Sequence, residues 1–253
     1  MNNHEALKKL KRVAELFVEI EKDNNLVTQD LKRHAQLVAE ARNLLSQDDV
    51  IGLTSSVEEI LILVDINKGF TSEGVYQNPY LEAIVEPVNE VAHEFHDAPN
   101  KLIIVLNEGH TEDSQEFKTL NPNNPLPHCI KGTSEAEYAP ALAWLLAIYP
   151  VFEKNCTMAA LAPGYLNFYH LFPNLRRVYG TGGITPMCYL EERMSTIKFF
   201  DQNNLDVEVV ALEGLYDTYQ APWHERDEWN AMSERFMTQA GIKLERKRKI
   251  GEN

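Results

Sequence analysis

Cys188 stands at the end of Gly180-Thr181-Gly182-Gly183-Ile184-Thr185-Pro186-Met187-Cys188. A glycine-rich turn that opens a helix gathers backbone N–H groups and the positive end of the helix dipole, and both favour an anion. Such a place suits a nucleophilic thiolate, and the same N–H groups could form an oxyanion hole. Without them a buried cysteine is an inert apolar side chain. Asp65 closes the apolar run ILILV and could serve as a general base, as half of an ion pair, or only as a loop or cap aspartate. Lys154, in Phe152-Glu153-Lys154-Asn155, ends another apolar run. Alone it reads as a solvated lysine; beside a thiol its ammonium would favour the thiolate. Cys156 lacks a glycine-rich turn and is the weaker nucleophile. The stretch 107–134 carries Glu108, His110, Glu116 and His128, two imidazoles and two carboxylates of the kind that hold a divalent metal. Cys129 adjoins His128 without needing to be a ligand.

These residues need elements to position them. ILILVDI (60–66) and KLIIVL (101–106) read as strands buried on both faces. Further strands are expected over 148–154, 177–180 and 206–212, with a short last one near Ile242. Helices are expected over 81–95, over 134–147 with Ser134 as cap and Glu137 three residues on, from Cys188 through Phe200, and over about 225–240. Alternating strands and helices imply a parallel sheet covered on both faces. Functional groups then gather beyond the carboxyl ends of the strands. That rule brings Asp65, the 107–134 loop, Lys154 and the Gly180–Cys188 turn to one rim.

Residues 4–47 differ. Leu7, Leu10, Val13, Phe17 and Ile20, then Leu31, Ala35, Val38, Ala41 and Leu44, recur at helical spacing around a turn at Asp23-Asn24-Asn25. They predict two amphipathic helices that pack on the main domain or at a subunit interface of a homo-oligomer. Residues 48–56 read as the linker.

The chain has 253 residues with 38 acidic and 24 basic side chains, a net charge of -14 that disfavours nucleic-acid and anionic-membrane surfaces. The basic cluster Lys243 to Lys249 reads as a short solvated tail. Three cysteines fit a reducing compartment without a disulfide framework. The N-terminus lacks the apolar core of a signal peptide, and no apolar run approaches the ~20 residues of a membrane span. Cytoplasmic location and a small-molecule substrate are therefore expected.

Five motifs together resemble the isochorismatase-like cysteine hydrolases, nicotinamidases above all. They are VDINKGF (64–70), EGHTEDSQEF with LPHCIKGTSEAE (108–117 and 126–137), FEKN (152–155), YGTGGITPMC (179–188) and DTYQAPWHERDEWN (217–230). The resemblance runs from about Glu59 to Leu244. It divides the chain into a helical extension (1–50) and an isochorismatase-like domain (51–253). It implies a three-layer α/β/α sandwich around a parallel six-stranded sheet.

By the same resemblance Cys188 is the nucleophile, Asp65 the proton acceptor and Lys154 the thiolate-stabilising cation. The backbone N–H groups of Ile184 and Cys188 form the oxyanion hole, and the Gly183-Ile184 peptide is cis. Phe70 stacks on the substrate. Glu108, His110, Glu116 and His128 hold a divalent metal, zinc before iron or manganese, that faces the ring nitrogen of an aromatic amide. The chain departs from the family pattern at three places. Glu108 replaces the usual aspartate, Pro186 replaces another aspartate, and NCTMAALAP (155–163) lacks the usual pocket aromatic. Hydrolysis of another amide, ureide or carbamoyl substrate, or a non-catalytic binding role, are the alternatives these changes leave.

Overall fold

A computed structural model describes residues 3–24 and 31–246. Six strands, β1 (Glu59–Val64), β2 (Lys101–Glu108), β3 (Val151–Lys154), β4 (Arg177–Gly183), β5 (Glu208–Asp217) and β6 (Lys243–Arg246), form one sheet in the order β3-β2-β1-β4-β5-β6. Every pairing is parallel. β1 and β2 are runs of Ile, Leu and Val buried almost without interruption, because helices cover both faces of the sheet.

Before the sheet come α1 (Asn3–Asn24), α2 (Leu31–Leu45) and α3 (Asp48–Ser56). After β1 come α4 (Lys68–Thr71), α5 (Pro79–Ala83) and α6 (Val85–Asp97). Then follow α7 (Glu116–Leu120) and α8 (Trp144–Ile148) after β2, α9 (Tyr165–Phe168) after β3, α10 (Leu190–Gln202) after β4 and α11 (Arg226–Gln239) after β5. In α6, Val88, Val91, Ala92 and Phe95 are the buried stripe, at the three- and four-residue spacing of one helix face.

Several boundaries differ from the sequence expectations. The 48–56 linker is helix α3, with Asp48 and Asp49 in its first turn and Val50 and Leu53 buried. The single helix expected over 134–147 is broken. Residues 134–136 and 140–142 form separate tight turns, and only Trp144–Ile148 is α-helical. Pro140 has no N–H to give, and the stretch instead pairs with the chain after β1: Lys68 N–H donates to Glu137 O and Ala139 N–H to Ile66 O. Ser134 caps nothing; its side chain takes a contact from Lys68 Nζ. The 81–95 helix is two pieces meeting at Ile84, and Pro87 is tolerated because it sits in the first turn of α6. β3 starts only after Pro150, whereas β4 and β5 run several residues further than expected.

α1 packs two faces. Ala6, Leu10, Val13 and Ala14 join the main core, and Leu16 packs with Leu37 and Ala41 of α2. The contact stripe of α2 is thus set by Leu37, not Val38, and Ala35 faces solvent. Phe17 meets Phe168 edge-on at 6.0 Å. Asp23 and Asn24, expected in a turn, end α1, and residues 25–30 lie outside the described residues. The basic cluster begins as strand β6, where Arg246 pairs with Glu213 and Lys243 with Glu208; Lys247 to Lys249 lie outside the described residues. No helix among the described residues is long and apolar enough to cross a membrane.

Candidate active site

The chain builds β1, β2 and β3 outward in one direction, then returns to the other side of β1 with β4. This reversal opens a crevice at the carboxyl ends of β1 and β4. Asp65 directly follows β1 with φ 50°, a left-handed conformation that aspartate tolerates better than most residues. β4 runs beside β1 through Gly182, whose φ is 111°; a Cβ there would lie 2.1 Å from Val64 O. Past β4 the Gly183-Ile184 peptide is cis, as the resemblance implies. A wide turn over Thr185–Tyr189 follows, with Tyr189 N–H donating to Ile184 O and Met187 in a non-helical conformation. Cys188 sits in this turn, just before α10.

On the far side of Asp65, Glu108 and Lys154 end β2 and β3 as register partners. Lys154 is 2% exposed, and its ammonium lies against three oxygens, hydrogen-bonded to Glu108 and Cys156 and ion-paired with Asp65. They are Asp65 Oδ2 at 2.7 Å, Glu108 Oε2 at 2.6 Å and Cys156 O at 3.0 Å. The Cys188 thiol donates to Glu108 Oε2 at 3.5 Å. One atom each of Asp65, Glu108 and Cys188 lie within 4.8 Å of one another. The three residues that carried the nucleophile reading therefore share one buried cluster, and Glu108 belongs to it as well.

Burial raises the Asp65 carboxyl to about 7, against the pull of Lys154. Burial also pushes the Cys188 thiol well above the usual thiol range; Lys154 opposes this, but Glu108 and Asp65 add to it. The lowering expected from Lys154 is thus present and outweighed in the resting site. For Lys154 itself burial acts downward, yet the neighbouring anions hold its pKa well above the usual lysine range. Burial acts upward on Glu108, and Lys154 with the two histidines keeps it well below the usual carboxylate range.

The other oxygen of Glu108 faces the histidines. Oε1 lies 2.7 Å from His110 Nε2 and 3.1 Å from His128 Nε2. Each ring turns Nδ1 to an acceptor, Asn155 Oδ1 at 3.3 Å for His110 and Leu126 O at 2.9 Å for His128. With Nδ1 donating, a neutral imidazole presents a lone pair at Nε2. Here each Nε2 hydrogen-bonds Glu108 Oε1, and a cation that displaced those protons would meet two imidazole nitrogens and a carboxylate oxygen, all within 4.8 Å of one another. This donor set fits a divalent cation. Glu116 stands further back: Oε2 is 3.7 Å from His110 Nε2, buried and without a hydrogen-bond partner, while Oε1 accepts from Thr157 N–H.

Aromatic rings surround the histidines. Phe70, in α4, is 5.8 Å from the His128 ring. Tyr76 is closer, at 4.6 Å and nearly perpendicular. Phe117 meets both imidazoles. Sequence reasoning missed Tyr76, which no motif marks. It also missed Asn67, whose buried amide donates to Asn107, Glu108 O and Ala136 O and so ties the ends of β1 and β2 to the 133–138 loop. Asn155 was within reach, being next to Lys154 in FEKN. The 217–230 motif is a buttress: Arg226 pairs with Asp217 at 2.6 Å, and His224 stacks between Tyr219 and Trp229.

A parallel α/β sheet thus carries a buried cysteine, lysine and aspartate at its topological switch point. The isochorismatase domain model matches residues 59–240, and the chain belongs to the isochorismatase-like hydrolase family. Nicotinamidase 1 of Arabidopsis thaliana is 27% identical over 130 residues, 49% of this chain and 47% of that protein, so the match spans about half the length of that relative. The fold is similar to PnC1 of L. infantum in complex with nicotinate (TM-score 0.62, 22% identity, 76% of this chain and 94% of that one). It is also similar to the pyrazinamidase of Pyrococcus horikoshii in complex with zinc (TM-score 0.60, 22% identity, 75% and 99%).

Proposed function

We propose that the chain is a nicotinamidase-like cysteine amidohydrolase that cleaves a small aromatic amide to its carboxylate and ammonia. The observation that carries this reading is the convergence of Asp65, Lys154 and Cys188 in one buried cluster. The names of two relatives, a nicotinamidase and a pyrazinamidase, and the nicotinate bound to a third, support the substrate class.

An amide carbonyl is a poor electrophile, so the reaction needs a thiolate and donors for the developing oxyanion. Asp65 takes the Cys188 proton as the sulfur attacks the carbonyl carbon. The backbone N–H groups of Ile184 and Cys188 receive the oxyanion, and Lys154 offsets the negative charge of sulfur and carboxylate. Asp65 then passes its proton to the departing nitrogen, which leaves as ammonia, and a thioester remains. Water attacks the thioester, Asp65 takes the water proton, and the freed thiolate is reprotonated as the carboxylate departs. A carboxyl poised at about 7 suits a group that must both take and return a proton.

Glu108, His110 and His128 would hold a divalent cation, zinc before iron or manganese, with Glu116 nearby. When bound it supplies a Lewis-acid contact for a ring heteroatom and so orients the substrate. Phe70 offers a ring for stacking. The substrate is a small molecule that reaches the site in solution, and the expected location is the cytoplasm.

The test is ammonia release from nicotinamide and pyrazinamide by zinc-supplied protein, alongside a panel of other small amides, ureides and carbamoyl compounds. Release from the aromatic amides that vanishes in Cys188→Ala with unchanged circular dichroism supports the reading. Release only from a ureide or carbamoyl compound moves the protein to that substrate class, and no release from any compound overturns the amidohydrolase reading.

A further inference from the structure

Glu108 faces two cation positions at once. Its Oε1 lies between His110 and His128, and its Oε2 lies on the Lys154 ammonium at 2.6 Å. The Lys154 position has the makings of a ligand set of its own. Asp65 and Glu108 each set an oxygen on it, and one atom each of Asp65, Glu108 and Cys188 lie within 4.8 Å of one another. All three residues are almost wholly buried, and neither carboxylate oxygen of Asp65 accepts a hydrogen bond. Two carboxylates and a sulfur are ligand types that a divalent metal takes.

We infer that Glu108 is a bridging carboxylate between two cation sites, one open to a metal at His110 and His128, the other permanently filled by the Lys154 ammonium. The chain has in effect a two-cation centre whose second cation is tethered to β3. Length is what allows the bridge. From the end of β2 the glutamate reaches both the imidazole pair and its register partner Lys154; an aspartate, one methylene shorter, is expected to keep the imidazoles and lose Lys154. Glu108 is thus a positioning residue for Lys154 as well as a metal ligand. The inference rests on the metal site of the proposed function but not on its substrate.

Zinc stoichiometry and cobalt(II) spectra test it without turnover. The wild-type chain is expected to bind one zinc, with no sulfur-to-cobalt charge-transfer band in the cobalt form. Lys154→Ala vacates the second position and is expected to bind two, with that band appearing, and Lys154→Ala/Cys188→Ala loses the band. One zinc and no band in folded Lys154→Ala overturns the bridge, as does a wild-type chain that binds none. Should Lys154→Ala not fold, Glu108→Asp decides: zinc affinity within about threefold of wild type, KM within about twofold and kcat at least tenfold lower are expected. Unchanged kcat, or zinc lost together with activity, overturns the inference. A wild-type chain that binds zinc but hydrolyses no amide sinks the proposed function, and zinc stoichiometry and the cobalt band alone then decide the bridge.

Discussion

Glu108 and Lys154 are register partners at the carboxyl ends of β2 and β3, and their side chains meet at 2.6 Å. Paired residues on neighbouring strands project to the same face of a pleated sheet. One pleat therefore joins the histidine loop to the triad before any loop conformation is chosen. Asp65 enters from the adjacent strand and shares the same ammonium at 2.7 Å. Two buried carboxylates thus compete for one cation, and Asp65 is the one left with a raised pKa.

That imbalance predicts a pH profile. Asp65 must be ionised to accept the thiol proton, so kcat/KM should rise with pH along an acid limb centred near its folded-state value of about 7. Stability runs the opposite way. A carboxyl raised from roughly 3.9 in the unfolded chain contributes stability that is complete below that value and lost as pH rises through about 7. Asp65→Asn is expected to lower kcat/KM by ~10²–10⁴-fold. It should also raise Tm at pH 8 by about 2–4 °C, or about 1 kcal/mol, with no gain at pH 4. An acid limb below pH 5, or a Tm gain equal at both pH values, would contradict this assignment.

Gly182 makes a second prediction. Its φ of 111° and the 2.1 Å approach of a Cβ to Val64 O leave no room for any side chain between β1 and β4. Gly182→Ala must push apart the two strands whose ends carry Asp65 and the Cys188 turn. A loss of about 3 kcal/mol or more is expected in urea unfolding. Activity at a temperature where the variant is still folded should fall too, since the strand ends separate.

Much of this arrangement was legible in the chain. The unbroken apolar runs announced β1 and β2, and strand–helix alternation put Asp65, Lys154 and Cys188 at one rim. What was not legible depends on long-range contacts. Gly182 and Gly183 read as part of a turn, yet they are strand, and at Gly182 β4 lies directly against Val64 O of β1. Residues 134–139 have a helical pattern, but their backbone bonds go to Ile66 and to Lys68. Glu108 read as a metal carboxylate; its second attachment follows from strand register, which one sequence does not reveal. Tyr76 belongs to no motif, so only the folded chain shows it against His128.

The helical extension supplies a third prediction. Leu10 is fully buried in the same core as β1 and β2, while the family match begins only at residue 59. If α1 is part of that core, Leu10→Ala should cost about 2–5 kcal/mol, and urea unfolding should remain a single transition by fluorescence and circular dichroism. An early separate transition for the helical signal, with the rest unchanged, would mean that the extension folds apart from the sheet.

Tyr76 makes the last prediction. It lies between α4 and α5 and holds its ring 4.6 Å from His128, on the histidine that Phe70 also flanks at 5.8 Å. The segment after Lys154 carries no aromatic residue before Tyr165, and the rings beside the histidines are Phe70 and Tyr76 after β1 and Phe117 after β2. A ring that stacks on or edges against a planar substrate contributes about 0.5–1.5 kcal/mol beyond simple burial. That contact is made equally in the ground and transition states, so its loss should appear in KM and not in kcat. Tyr76→Ala is therefore expected to raise KM for an aromatic amide by about 2–12-fold and leave kcat within about twofold. Tyr76→Phe should behave as wild type, because the ring and not the hydroxyl makes the contact. Steady-state kinetics on both variants decide the matter: a fall in kcat with KM unchanged would place Tyr76 among the groups that hold His128, not among those that hold the substrate.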